Sequence, residues 1–364
     1  AGELSDGGAL IGVTTLGGAP VWLQGYRGGS RPVFRDLEPL PDGGLIAAGW
    51  VDLPAPAGRE VLVARLDASG AIVWAQTYGT TGNDAAYGLD VRGQRAVLAG
   101  EVGQAMLFLE LDLDGALVDA KTLKVGTSIE HARDVTFGVD GRVVVFGESY
   151  DNTGRAPVLV DPETRAASLV ASHDAISGRI RPTRDGGFLL SGLVYGYEGD
   201  TGVAYTAKLD KDFARVFFVT QNESYAMLYD TVELTGGSLL GGGSNAWAMV
   251  VAYDANGTAR GGSVYRPLTF GRNEARGLTA LPDGGFAAVV TDGSSGTWIV
   301  RGPPSGGAGT CTRVDAWWAT TTSTRTVTAK TATTNALALT AASILLTPEP
   351  ISVTRSEICT APSY

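Results

Sequence analysis

Leu40-Pro41-Asp42-Gly43-Gly44-Leu45-Ile46-Ala47-Ala48-Gly49 decides how this chain folds, because the chain writes it again. Leu281-Pro282-Asp283-Gly284-Gly285-Phe286-Ala287-Ala288 is nearly the same text, and Arg184-Asp185-Gly186-Gly187-Phe188-Leu189-Leu190-Ser191-Gly192 is a third copy. Val139-Asp140-Gly141-Arg142-Val143-Val144-Val145-Phe146-Gly147 is a fourth. Arg92-Gly93-Gln94-Arg95-Ala96 and Thr235-Gly236-Gly237-Ser238-Leu239 are fainter ones. The shared glycines fall at 43, 93, 141, 186, 236 and 284, a step of roughly 45–50 residues, which is the length of a propeller blade. Asp-Gly between two apolar runs marks a tight hairpin, because glycine accepts the positive φ that the turn demands.

A second text alternates with the first. Val61-Leu62-Val63-Ala64-Arg65-Leu66-Asp67, a turn at Asp67-Ala68-Ser69-Gly70, and Ala71-Ile72-Val73-Trp74-Ala75-Gln76-Thr77-Tyr78 read as strands C and D of a unit whose strands A and B flank the Asp-Gly-Gly turn. It recurs at Leu109–Val118, Ala207–Asp212 and Val251–Gly257, and more loosely at Val158–Glu163. It also recurs at Ala9–Tyr26, with Trp22 over Trp74 and Tyr26 over Tyr78. The chain thus begins in mid-unit. The expectation is an all-β propeller of four-stranded blades closed by N- and C-terminal strands, with seven blades favoured and six the alternative. Residues 1–310 are the blades, and residues 8–30 supply strands C and D of the closing one. With seven blades, the stretch from about 323 to 342 supplies that blade's strands A and B. Thr347-Pro348-Glu349-Pro350 should interrupt any strand.

Composition narrows the function. The chain has 364 residues, 44% of them hydrophobic, 51 glycines and a formal net charge of -10. That charge disfavours nucleic acid and anionic membranes, whose binding needs clustered Lys and Arg. No apolar run reaches the roughly 18 residues of a membrane helix. A start at Ala1 rather than Met reads as a mature, secreted or surface product whose signal peptide has been removed. The two cysteines, Cys311 and Cys359, both fall in the Thr-rich region 311–364. They are either free thiols or one disulfide closing a loop of about 48 residues, which the expectation favours. This region then completes or decorates the propeller, as an edge strand or as a strand that pairs with another subunit.

The repeat text resembles the SBBP-like and delta-60-like repeats of secreted bacterial and archaeal β-propeller proteins. The likeness is clearest at Asp42–Gly49 with Val63–Gly79 and at Asp185–Gly192 with Ala207–Asp210, and it covers about residues 8–300. It implies a secreted or surface propeller. It implies no activity, because such repeats serve many.

Chemistry-bearing motifs are sparse. The histidines are two, His131 and His173, each placed like a solvated loop residue, and no nucleophile elbow, Walker loop or zinc helix is present. Glu110-x-Asp112-x-Asp114-Gly115 imitates the start of a calcium loop, but Lys121 stands where the bidentate Glu belongs, so a plain turn is expected. Asn222-Glu223-Ser224 and Asn256-Gly257-Thr258 are formal sequons that read as turns. No metal site and no cofactor is expected. One constellation stands out: Arg35-Asp36, Arg133-Asp134, Arg179 and Arg276 stand at the entry to A strands, and Asp230 and Asp90 can join them. They should ring one mouth of the central channel, either as ion pairs tying neighbouring blades or as a site for a small anionic or sugar ligand. The leading expectation is a non-enzymatic scaffold or assembly subunit, meeting a protein partner or itself through its loops or the Thr-rich tail. The alternative is a polysaccharide hydrolase or lyase using carboxylates at the channel mouth.

Overall fold

In a computed structural model of the chain every described element is a β-strand, and the strands form antiparallel sheets that follow one another along the sequence. The described residues are 1–303, less 4–6, 16–18, 29–30, 55–57, 127–128, 152–153, 171–174, 196–201, 225–226, 238, 246, 266–273 and 292–296, together with the backbone of five short tail strands between 320 and 350. Cys311, Cys359 and His173 lie outside them.

The first sheet holds β1 (Gly2–Glu3), β2 (Ala9–Thr14) and β3 (Pro20–Arg27). The second holds β4 (Arg31–Pro39), β5 (Leu45–Asp52), β6 (Arg59–Leu66) and β7 (Ile72–Gly79). The third holds β8 (Asp84–Arg92), β9 (Arg95–Val102), β10 (Ala105–Asp112) and β11 (Leu117–Lys124). The fourth holds β12 (Glu130–Phe137), β13 (Val143–Asp151), β14 (Gly154–Val160) and β15 (Ala166–Leu169). The fifth holds β16 (Ala175–Pro182), β17 (Phe188–Tyr195), β18 (Gly202–Leu209) and β19 (Arg215–Ser224). The sixth holds β20 (Met227–Glu233), β21 (Leu239–Asn245), β22 (Trp247–Tyr253) and β23 (Ala259–Tyr265). The seventh described sheet holds β24 (Glu274–Ala280), β25 (Phe286–Thr291) and β26 (Thr297–Gly302). These propeller-like blades match the four-strand reading of the repeat.

The hairpin turns sit where the glycine pattern places them. Gly43, Gly93, Gly141, Gly186 and Gly284 all have positive φ. In the sixth sheet the residue with positive φ is Gly237 and not Gly236, so the repeat is one residue out of step there. The C–D turns use Gly70, Gly115 and Gly257 in the same way, but Arg165 and Phe213 take that conformation in the fourth and fifth sheets. A non-glycine residue held there costs about 1–2 kcal/mol. Phe213 offsets it by burying its ring beside Phe188, with the Arg142 guanidinium 4.7 Å from the ring centre.

The sheets stack face to face, so the middle strands are covered on both sides. That is why β5, β10 and β17 read as continuous apolar text and not as alternation: all but the last residue of each is buried. The apolar clusters lie between successive sheets. One joins Ile11 and Tyr26 of the first to Leu62 and Ala64 of the second. The next joins Val61 and Val63 to Leu98 and Leu109, and another joins Val97 and Phe108 to Val135 and Val145.

The tail supplies edge strands, as expected of it, but to five sheets and not to one. β27 (Thr320–Thr322) pairs with β19, β28 (Thr328–Thr331) with β15, β29 (Thr333–Ala336) with β11, β30 (Thr340–Ser343) with β7, and β31 (Thr347–Pro350) with β3, all antiparallel. It therefore visits the fifth, fourth, third, second and first sheets in that order, adding one strand to the last strand of each. The expectation that residues 323–342 form strands A and B of one blade is not met, because the described strands in that stretch belong to three different sheets. Nor do Pro348 and Pro350 break the strand. β31 lies at a sheet edge, where a missing N–H removes no bond if it faces away from the ladder.

Candidate functional site

The first strand of nearly every sheet carries a β-bulge at the same place. The register slips between Phe34 and Asp36, Ala86 and Gly88, Ala132 and Asp134, Ser177 and Ile180, Leu228 and Asp230, and Ala275 and Gly277. A bulge re-aims the side chains around it. Here it separates the paired letters of the sequence constellation. The bulged residues include Arg35, Arg133 and Arg276, and the residues after them include Asp36, Asp134 and Asp230.

Residues within and just after these slips converge. Arg179 Nη2 donates to Asp36 Oδ1 at 3.0 Å, Arg179 Nη1 donates to Asp36 Oδ2, and the same Nη1 donates to Asp134 Oδ1 at 2.9 Å. Arg181 Nη2 donates to Asp230 Oδ2 at 3.3 Å and its Nη1 lies 3.7 Å from Asp134 Oδ2. The first strands of the second, fourth, fifth and sixth sheets thus meet at one axis. Each carboxylate also reaches the next sheet's backbone. Leu89 N donates to Asp36 at 3.0 Å, Phe137 N to Asp90 at 2.8 Å, Ile180 N to Asp134 at 2.9 Å and Leu278 N to Asp230 at 2.9 Å. The fifth sheet substitutes arginine at the aspartate position, and so supplies the cations that neutralise its neighbours. Gly88 occupies the same position in the third sheet. A Cβ there would stand 2.5 Å from Asp134 Cα, so only glycine lets the two strands close up.

Arg35, Arg133 and Arg276 do not join this cluster. Arg35 lies over Trp50 at 4.7 Å. Arg133 packs on Tyr87 of the preceding sheet at 5.5 Å, and its Nη2 donates to Glu148 at 3.3 Å. Arg276 lies 5.0 Å from the Tyr229 ring and donates through Nε to Glu274 at 2.6 Å. The structure brings Asp36, Asp134, Arg179 and Asp230 together and turns the three bulge arginines toward aromatic rings. His131 pairs with Glu101 at 2.7 Å, and Asp112 accepts the amides of Asp114 and Ala116, as a turn-capping aspartate does.

Two residues further along the same strands lies a second layer, which the sequence reading passed over except for Asp90. Glu38, Asp90, Thr136, Arg181 and Thr279 line a cavity of about 340 Å³, with Val232 and Leu278 on its apolar side. Asp90 is engaged by Thr136 Oγ1 at 2.8 Å as well as by Phe137 N. Burial, then the neighbouring charges of Asp36 and Asp90, push the Glu38 carboxyl up to about 8, against the opposing pull of Arg181 and Arg179. Burial also raises Asp90. The cavity thus holds a carboxyl that keeps its proton near neutrality beside a second acid. The signal for this layer was in the text: side chains two apart on a strand share a face, so Glu38 follows Asp36 and Arg181 follows Arg179.

No family model matches the chain, and no curated protein matches it. Solved structures similar to it include a protein of unknown function from Bacteroides caccae, at 13% identity and TM-score 0.44 over 66% of this chain and 84% of that one. Another is a putative 6-phosphogluconolactonase from Bacteroides uniformis, at 12% identity and TM-score 0.47 over 86% of this chain and 98% of that one.

Proposed function

We propose that the chain is a closed seven-bladed β-propeller, secreted or displayed at the cell surface, that works without catalysis as a rigid scaffold and assembly subunit. The observation that carries this reading is the use made of the axial charges. Asp36, Asp90, Asp134 and Asp230 each accept a backbone N–H from the following sheet, so the groups best placed for ligand chemistry are committed to joining blades. The likeness of the repeat text to SBBP-like and delta-60-like repeats supports a secreted location. Electron microscopy and mass measurement of the purified full chain test the reading: defined oligomers or polymers support it, and a protein monomeric at all concentrations overturns the assembly role.

A second reading is favoured by Glu38 and Asp90 alone. A proton-holding carboxyl beside another acid in one cavity suits a general acid with its partner, as in polysaccharide hydrolysis or elimination. Turnover of a polysaccharide by the native chain and its loss in Glu38→Gln would establish it. No turnover across neutral, acidic and sulfated polysaccharides would remove it.

A further inference from the structure

The cavity beside Glu38 takes its lining from six first strands, β4, β8, β12, β16, β20 and β24, so it lies on the axis where those strands meet. Glu38 stands two residues beyond Asp36, and Arg181 two beyond Arg179, an advance of about 6.6 Å along a strand. The ion pairs of Arg179 with Asp36 and Asp134 therefore close the axis on one side of the cavity. Thr279 is exposed and marks the other side, toward the hairpin turns that follow the first strands.

The charges lining the cavity are already answered from within the chain. Asp90 accepts from Val91 N at 2.7 Å, Phe137 N at 2.8 Å and Thr136 Oγ1 at 2.8 Å. Arg181 turns its guanidinium to Asp230 and Asp134. The Glu38 carboxyl and the Thr279 hydroxyl are left, and neither has a hydrogen-bond partner among the described residues. Glu38 keeps its proton near neutrality, so both groups are neutral, and both can donate and accept. Pro182, Val232, Leu278 and Ala280 supply an apolar wall.

We infer that this cavity binds a single ring of a neutral sugar, admitted from the hairpin side. This adds a ligand site to the scaffold reading above and needs no turnover. Sugar hydroxyls both donate and accept, as Glu38 and Thr279 do, and the C–H face of the ring covers an apolar wall. A volume of about 340 Å³ is at the small end of ligand pockets, and the ion-pair layer behind it leaves no passage for a chain. An acidic sugar would meet Asp90 and, behind it, Asp36, Asp134 and Asp230. An amino sugar would find Asp90 already holding three donors and Arg181 beside it.

The test titrates the full chain by calorimetry with glucose, galactose and mannose, and with glucosamine and glucuronate, which put a positive or a negative charge on a ring of the same size. At least one neutral hexose should bind, and glucuronate should bind at least about tenfold more weakly. Thr279→Trp, at an exposed position, should fill the open side and abolish binding, with a melting temperature within a few degrees of the parent. Glu38→Ala should weaken binding about tenfold. Glucosamine or glucuronate binding more tightly than every neutral hexose overturns the inference and needs no variant to show it. A hexose that binds both variants as it binds the parent also overturns it. So does a failure of all three hexoses to bind, which leaves the scaffold reading standing. A hexose that binds while no polysaccharide is turned over supports the inference and removes only the catalytic reading.

Discussion

Arg179 lays its guanidinium against both carboxylate oxygens of Asp36, 143 residues earlier in the chain and three sheets away. The same guanidinium reaches Asp134 of the preceding sheet at 2.9 Å. One side chain thus bridges two sheets to its own. Asp134 is completely buried, so its charge is stable only while Arg179, Arg181 and Ile180 N face it.

Asp134→Ala removes one partner of that buried set and leaves Arg179 and Arg181 under-neutralised. Breaking a buried pair in this way costs about 3–5 kcal/mol. Chemical denaturation should show that loss. A variant within about 1 kcal/mol of the parent would mean that the axial network contributes little to stability.

At the outer end of the blades the tie is neutral. Tyr26 Oη donates to Gly70 O at 2.7 Å and Tyr78 Oη donates to Gly115 O at 2.6 Å, each gripping the C–D turn of the following sheet. Trp22 Nε1 and Trp74 Nε1 hold the same turns through Ala68 O and Leu113 O. Tyr26→Phe and Tyr78→Phe should each cost about 1 kcal/mol, and the double variant about the sum, because the two sites share no partner. Denaturation midpoints of the two single variants and the double variant check this.

Gly88 and Gly277 follow the bulge in their respective sheets, yet they should respond oppositely to a methyl group. Gly88→Ala drives Cβ against Asp134 Cα and Val135 N, which are backbone and cannot step aside, and should cost about 3 kcal/mol or more. Gly277→Ala meets nothing within 4 Å and should change stability by less than about 1 kcal/mol. Thermal melts of the pair suffice, and equal effects would contradict the close approach at Gly88.

Glu38 makes stability depend on pH. Its folded carboxyl titrates near 8, well above the ordinary value of an unfolded glutamate, so the folded state holds the extra proton. That contribution is fully present below about pH 4.3 and is lost as pH rises toward 8. Asp134, raised by burial, and Asp90, also raised by burial, push in the same direction. Stability should therefore fall between about pH 4.5 and 8, and Glu38→Gln should flatten the upper part of that fall. A Glu38→Gln curve parallel to the parent's would show that Glu38 is ordinary in the folded state.

Deleting residues 320–364 strips the added strand from five sheets. The last strands β3, β7, β11, β15 and β19 then lose the strand paired with them, and the shortened chain should precipitate at lower concentration than the parent. In the shortened chain, amides at 24–27, 76–79 and 121–124 should exchange faster than in the intact chain. Light scattering and hydrogen exchange read the two effects.

The sequence by itself determined the local structure. A turn needing positive φ calls for glycine, and an apolar run on each side of it calls for a hairpin. The periodic Gly43, Gly141 and Gly284, and the C–D texts with Trp22 over Trp74, therefore announced repeated antiparallel sheets. Those constraints act within a few residues, where text and geometry are the same thing. The tertiary structure alone decided which charges meet. Arg35 and Asp36 are neighbours in the text, but a one-residue bulge sends the first to Trp50 and the second to Arg179. It alone decided, too, that the Thr-rich tail would run backwards round five sheets, because unpaired outer edges accept a strand through backbone bonds that no side-chain pattern specifies.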